Sequence, residues 1–423
     1  MNDRLQQSNR NALLASGRTV IVLDDDPTGT QTVHDLPVLT SWRDGEIAAE
    51  FDRGTPVFYV LTNSRSVGEE RAAEINREVA AAIPRGKPVT VVSRSDSTLR
   101  GHFPLETDTL AEALGIDAPV LLIPFFEEGG RITIDDIHYV REGEQLIPAA
   151  ETPFAKDPVF GFSKSDLRQW VEEKTGGRLK AEEVDSVEPR GIDETVSKLR
   201  SIRRVGVVNA QEMRDLELLV AALHQCGRPF LFRTAGSFVR ALAGLPKKPL
   251  LEAAEVVNPS GRGGLVVVGS HVPKTTAQLE ALLRHPNVIP VELDVRALDA
   301  PAAADAVGRG LAEGGIVVLY TSRELLTGGS DGETLAIGRR VSATLVEIVS
   351  GLEKAPQFII AKGGITSSDV ATGALGIRRA VVLGQLLPGV PVWRAENGLG
   401  FVVFPGNVGD DDALLEAVNN LAA

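Results

Sequence analysis

Short β-branched runs alternate with amphipathic helical patterns along most of this chain, and that alternation admits few folds. Apolar runs at 20–24, 56–62, 88–93 and 119–124 read as strands, with helices beginning near Gly68 and Pro104. This is the grammar of βαβ units, which build parallel sheets covered by helices. From 127 to 162 the periodicity lapses into a Gly-, Pro- and charge-rich stretch, read as a long functional loop or small excursion. Alternation resumes with helices at 164–174 and 194–203 and a strand at 205–209.

At 423 residues the chain exceeds one ordinary core. The stretch 245–264, rich in Pro, Gly and Lys and poor in continuous apolar runs, is the best boundary. Beyond it strands are expected at 265–269, 288–293, 316–320, 358–361, 380–383 and 401–404, and helices at 275–284 and 302–312. The expected fold is two α/β domains with mainly parallel sheets facing across a cleft: 1–246, a linker at 247–263, and 264–423.

The first strand runs straight into Asp24-Asp25-Asp26 and a Pro27-Thr28-Gly29-Thr30 turn. Ligands collect at the carboxyl edge of such sheets. Three adjacent carboxylates repel one another, so a turn fixed by Pro27 and Gly29 marks a candidate site. A second polar cluster, Ser93-Arg94-Ser95-Asp96-Ser97-Thr98-Leu99-Arg100-Gly101-His102, follows the strand at 88–93, and Arg65 follows the strand at 56–62. Guanidiniums there offer bidentate partners to a carboxylate or phosphate, so a small anionic substrate is implied. Taken singly, each cluster also reads as solvated arginines with Asp96 as a helix cap.

In the second half glycine recurs where strands end: Gly269-Ser270, Lys362-Gly363-Gly364-Ile365-Thr366-Ser367 and Pro405-Gly406-Asn407-Val408-Gly409. Such turns let backbone N–H groups approach phosphate oxygens and together read as a nucleotide cradle. The nearest approach to a P-loop, from Gly269 to Thr275, carries Pro273 where the second glycine belongs, and no Gly-x-Gly-x-x-Gly follows a strand. The six histidines have no metal-ligand spacing, although His34 and His102 fall within polar clusters. Cys226 stands alone, leaving no intramolecular disulfide.

There are 44 Lys and Arg against 57 Asp and Glu, a formal charge of −13. That balance argues against nucleic-acid and anionic-membrane partners. No apolar run approaches the roughly 20 residues of a membrane span, and no early stretch has signal-peptide order, so a cytoplasmic location is the default expectation. Apolar surface on α/β domains is compatible with a homodimer.

The four motifs, Leu23 to Gln31, Ser93 to Gly101, Gly363 to Ser367 and Pro405 to Gly409, resemble in order those of the four-carbon acid sugar kinase family. The resemblance spans residues 20–409. It implies an N-terminal domain binding a sugar acid, a C-terminal domain binding ATP, and phosphorylation of the terminal hydroxyl of acids such as threonate, erythronate or 3-oxo-tetronate. It implies that Asp25 and Asp26, one of them the base, face the substrate together with Arg94, Asp96 and Arg100, while Ser270, Gly363, Gly364, Ile365, Thr366 and Gly406 face ATP. Arg65, by its place on the same edge, joins Arg94 and Arg100 as a candidate for holding the acid. Mg²⁺ is expected on the ATP phosphates, held mainly by phosphate and water oxygens and at most one carboxylate, with no dedicated protein metal site.

Three departures bear on the substrate. Many members carry Asp-Asp-Phe-Thr-Gly where this chain has Asp-Asp-Asp-Pro-Thr-Gly, a Lys in place of Arg94, and an acidic or polar residue in place of Ile365. Branched acids such as 3-oxo-isoapionate are alternative substrates. A different chemistry also fits the first motif. Asp24-Asp25-Asp26-Pro27-Thr28 satisfies the Asp-x-Asp-x-Thr pattern of haloacid-dehalogenase-type phosphatases, with Asp24 as the nucleophile. A sugar-acid sensor without catalysis is a third reading, and it leaves the glycine turns unexplained.

Overall fold

The computed structural model describes residues 2–323 and 331–422 and divides into two compact units at Lys247/Lys248. Both are α/β. In the first unit the strands are β1 (Thr19–Asp24), β2 (Pro37–Leu39), β3 (Val57–Leu61), β4 (Val89–Arg94), β5 (Val120–Ile123), β6 (Arg131–Ile134), β7 (Ile137–Glu142), β8 (Gln145–Pro148), β9 (Asp185–Val187), β10 (Val205–Val208) and β11 (Leu231–Thr234). Eight of them form one parallel sheet in the order β2-β3-β1-β4-β11-β5-β10-β9. Strands buried on both faces must be continuously apolar, which is why Val20, Ile21, Val22 and Leu23 are all buried. On one face Ile21, Leu23, Phe58, Val60 and Val91 pack with Val79 of the helix Glu69–Ala82 and Leu110 of Leu105–Leu114.

Chain order creates the site. After β1 the chain goes to β3 and β2 on one side and then crosses to β4 on the other, so the connections diverge at the carboxyl ends of β1 and β4. That divergence is a topological switch point, the usual crevice for ligands in open α/β sheets.

Of the two readings of 127–162, a long loop or a small excursion, the structure has the excursion: a small antiparallel sheet, β6-β7-β8, followed by short turns. Its first hairpin turns on Asp135 and Asp136, both with positive φ (49° and 65°). Two left-handed residues suit the tight turn whose twist matches its strands. Asp-Asp is a weaker signal for it than Asn-Gly, so the pattern hid the hairpin.

The second unit carries β12 (Gly264–Val268), β13 (Val288–Leu293), β14 (Ile316–Thr321), β15 (Phe358–Lys362), β16 (Arg379–Leu387), β17 (Val390–Ala395) and β18 (Gly400–Phe404), in the order β13-β14-β12-β15-β18-β17-β16. The first five run parallel and the last two close an antiparallel ribbon. The ribbon departs from the expected short strand at 380–383: β16 is nine residues long, and its partner β17 carries Pro391, which masks a strand in sequence. Val266, Val268, Phe358, Ile360, Val402 and Phe404 pack with Leu279, Leu282, Leu414 and Val418 from helices Pro273–Leu283 and Ala413–Ala422. A second switch point lies between β12 and β15. No helix among the described residues is long and apolar enough to cross a membrane.

Candidate active site

Parallel register aligns Asp24 with Leu61 on one side and Arg94 on the other, and Arg94 with Thr234 of β11. The polar residues that follow these strand ends therefore converge. Asn63 takes a left-handed conformation (φ 49°), which turns Ser64–Ser66 back so that the Arg65 amide donates to the Asp25 carbonyl. Arg65 then reaches Asp26 Oδ2 at 2.7 Å, Asp96 Oδ1 at 3.5 Å and Asp25 Oδ1 at 3.8 Å. Burial opposes its charge, but these three carboxylates outweigh burial and keep it firmly protonated.

The three adjacent aspartates end in different environments. Asp24 is 1 % exposed, and its Oδ1 accepts from Arg94 Nη1 at 3.0 Å. Its carboxylate lies so close to Gly29 that a Cβ there would stand 2.0 Å from Oδ2. Burial, against the pull of Arg94, pushes it up to about 7. Asp25 Oδ2 accepts from Ser95 Oγ at 2.6 Å, while its buried Oδ1 has no hydrogen-bond partner among the described residues. Burial raises this group too, against Arg65, Arg233 and Arg94. Asp26 caps the turn Pro27–Thr30, accepting from the Thr28 amide and hydroxyl. Burial works against its charge, but Arg65 and Thr28 prevail and hold it below the usual carboxylate range.

Asp96 accepts from Arg100 Nε at 2.6 Å and from Thr98, and these with Arg65 overcome burial to hold it low. The structure thus gathers Asp25, Asp26, Arg65, Arg94, Asp96 and Arg100 at one switch point. It adds Arg233, which sequence reasoning missed. Arg233 is buried on β11, donating to Ser93 Oγ at 2.8 Å, Ser95 Oγ at 2.7 Å and Glu106. Its signal was a lone charge in an apolar strand. The two histidines of the polar clusters pair with backbone: His102 Nε2 donates to the Val67 carbonyl (2.9 Å), and His34 Nε2 pairs with the Pro246 carbonyl.

In the second unit, register places Val268 beside Lys362 and Lys362 beside Phe404. The turns after β12, β15 and β18 consequently meet. Gly363 (φ 107°) donates its amide to the Phe404 carbonyl at 2.8 Å, and a Cβ on it would stand 3.0 Å from that of Ser270. Gly269 lies as close to Thr366, where a Cβ would come within 2.7 Å of Oγ1. Ser270, Gly363, Gly364, Thr366 and Gly406 therefore share one edge. Ile365 follows in the helix Gly364–Asp369 and is 62 % exposed.

Cations ring this edge. Lys362 is fully buried, donating to the carbonyls of Pro405 (2.6 Å) and Gly406 (3.1 Å) with Nζ 4.3 Å from the Phe404 ring centroid. Burial, aided by Lys274, pushes it down to about 7. Lys274 donates to the Gly409 carbonyl, and Arg323 to those of Ser270 and Thr321. Among the described residues no group of three His, Cys, Asp or Glu side chains is gathered to hold a metal ion. A cavity of about 600 Å³ lies at the opposite, amino-terminal edge of the first sheet, between Arg10, His34, Thr55 and Pro246, away from these two polar edges.

Fold and site together define a two-unit α/β protein with an arginine- and aspartate-lined switch point in one unit and a glycine-lined, cation-bearing one in the other. Two family models match it, a sugar-binding N-terminal domain over residues 20–242 and a nucleotide-binding C-terminal domain over 265–414. The chain belongs to the four-carbon acid sugar kinase family. It is 27 % identical over 299 residues to a D-erythronate kinase of Heliobacterium modesticaldum, covering 67 % of this chain and 64 % of that one. To a 3-oxo-tetronate kinase of Pseudomonas fluorescens it is 28 % identical over 354 residues, 78 % of each chain. A solved structure from Salmonella typhimurium LT2 shares the fold at TM-score 0.71 and 19 % identity, covering 94 % of this chain and 98 % of that one.

Proposed function

We propose that this protein is an ATP-dependent kinase that phosphorylates the terminal hydroxyl of a four-carbon sugar acid. The observation that carries this reading is the Oδ1 of Asp25, which has no hydrogen-bond partner among the described residues and belongs to a buried carboxylate with a raised proton affinity, among arginines at a switch point. A base that already gave both oxygens to strong donors would be a poor one. Asp26 does so, which favours Asp25 as the group that orients the acceptor hydroxyl and takes its proton.

Phosphoryl transfer asks a protein mainly for positioning and charge neutralisation. Arg65 and Arg94 hold the acidic run in place, Arg65 keeping Asp26 charged, and Arg100 is the candidate for the acid group. The edge in the second unit fits a nucleotide. Glycines leave room where side chains would collide, Thr366 and Ser270 offer hydroxyls, and Lys274 and Arg323 offer charge. ATP, with Mg²⁺ on its phosphates, supplies the phosphoryl group. The phosphatase alternative asks Asp24 to act as the nucleophile, whereas its Oδ1 is bonded to Arg94 and its Oδ2 is backed onto Gly29.

The test is ADP release over a panel of four- and five-carbon sugar acids with Mg²⁺ and ATP. At least one acid is expected to give stoichiometric ADP and a phosphate monoester on its terminal carbon. ADP release that ignores every acid, or none at all, rejects the reading.

A further inference from the structure

Every arginine facing the acidic run from β1, β3 and β4 is already committed to carboxylates. Arg65 holds Asp26, and Arg94 holds Asp24. Arg131 is different. It opens β6, just past the carboxyl end of β5, where its backbone pairs with Phe126. Its guanidinium lies 5.8 Å from the centroid of the Phe126 ring and 5.9 Å from that of Phe154. One donor goes to the Gly129 carbonyl at 2.6 Å, the buried Nε has no partner, and no carboxylate lies within ion-pair distance among the described residues. Burial, reinforced by Arg100, weakens its hold on its proton despite Asp96.

Arg100 stands on the same Phe154 ring, 5.1 Å from its centroid. Its Nε is given to Asp96, but its Nη1 has only Asp157 at 3.7 Å. Two cations that repel each other around one ring, one of them buried without a counter-ion, form an unsatisfied arrangement. A carboxylate relieves both costs at once, and a guanidinium fork matches its two oxygens.

We infer that Arg131, with Arg100 beside Phe154, forms the subsite for the carboxylate of the substrate acid, so that the small sheet β6-β7-β8 selects acids over neutral polyols. This rests on the kinase reading for its substrate class. It assigns a task to the segment whose composition gave no periodicity.

The experiment compares wild type with Arg131→Met and Arg131→Lys, using D-erythronate, D-threonate and the matching uncharged polyols, erythritol and threitol. Turnover and direct acid binding by calorimetry are both measured. A merely structural strut across Phe126 and Phe154 alters melting temperature and leaves the preference for acids intact. The subsite predicts that Arg131→Met raises KM and Kd for the acid by about 30-fold or more, with KM for ATP unchanged. Arg131→Lys recovers part of the loss because it keeps charge without the fork.

Acid binding to wild type without phosphoryl transfer, lost in Arg131→Met, overturns the kinase reading and supports the subsite. Transfer by wild type with acid KM within about threefold in Arg131→Met overturns the subsite and leaves the kinase reading standing. Equal losses for acid and polyol, or no acid binding to wild type at all, also overturn the subsite.

Discussion

Replacing Gly29 with Ala tests whether the acidic run is held by the packing of Asp24. A Cβ at position 29 would stand 2.0 to 2.3 Å from three atoms of the Asp24 carboxyl group. The backbone offers no objection, since Gly29 is not among the residues with positive φ. The cost is therefore steric and falls on one group. Asp24 is buried and tied to Arg94 at 3.0 Å, so the methyl must either expel the carboxylate from that pair or lift the turn Pro27–Thr30 off the strand end. Separating the pair leaves Arg94 with only the more distant Asp25, at 3.9 Å, and breaking such a buried pair costs about 3 to 5 kcal/mol. Urea unfolding followed by circular dichroism should report a loss of about 3 kcal/mol or more, a large share of a typical domain's stability. In an Asp24→Ala background the same change should cost less than about 1 kcal/mol, because the clash is gone. Gly29→Ala within about 0.5 kcal/mol of the parent, or an equal cost in both backgrounds, refutes the packing argument.

Asp25→Asn should cut kcat by about 10²-fold or more with KM for ATP nearly unchanged, and by at least about tenfold more than Asp26→Asn; steady-state kinetics with the best acid decide it. Asp24, raised from 3.8 to about 7 mainly by burial, holds its proton more tightly folded than unfolded. Its contribution to stability is thus full below about pH 4 and is lost as pH rises through about 7, with an upper bound of about 4 kcal/mol. Asp24→Asn should flatten the unfolding free energy across that window, and an unchanged pH profile contradicts the assignment. Lys362→Met removes both donors that fix the Pro405 and Gly406 carbonyls. Calorimetry should show ATP affinity falling about tenfold while acid affinity stays within about twofold, and equal losses in both would mean general unfolding.

Contiguity decided what could be read from sequence. Asp24 to Asp26, Arg94 to Asp96 and Gly363 to Thr366 each follow a strand directly, so an apolar run and its polar terminus lie in one window. Arg233 reaches the same place from β11, a strand made late in the chain and inserted between β4 and β5. Its window, Leu231-Phe232-Arg233-Thr234, shows a charge in a strand but not which strands flank it. Glu106 looked like an ordinary acidic first-turn residue, and only folding turns it inward to Arg233, Ser64 and Asn76. Arg131 was hidden for another reason: its hairpin uses Asp135 and Asp136 at left-handed positions, so neither strand of the pair was recognised. Lys362 sat inside a quoted motif, yet periodicity cannot say that a lysine ending an apolar strand stays buried.

The departure of this chain from Asp-Asp-Phe-Thr-Gly takes on a physical meaning once the three carboxylates are separated. Neighbouring charges of one sign destabilise each other unless each finds its own partner. Here Asp24 takes Arg94, Asp25 takes the Ser95 hydroxyl, and Asp26 takes Arg65 together with Thr28. Pro27 opens the short helical turn that Asp26 caps, so the proline and the third aspartate act as one device that anchors the turn. Proton affinities are also pushed apart, upward by burial for Asp24 and Asp25 and downward by Arg65 and Thr28 for Asp26. Groups driven apart in this way divide the labour of acid–base chemistry. Asp24 is walled off by Gly29 and Asp26 has no oxygen free. Asp24 and Asp25 each keep one buried oxygen without a hydrogen-bond partner, but that of Asp24 is backed onto Gly29, which is why the proposed base is Asp25.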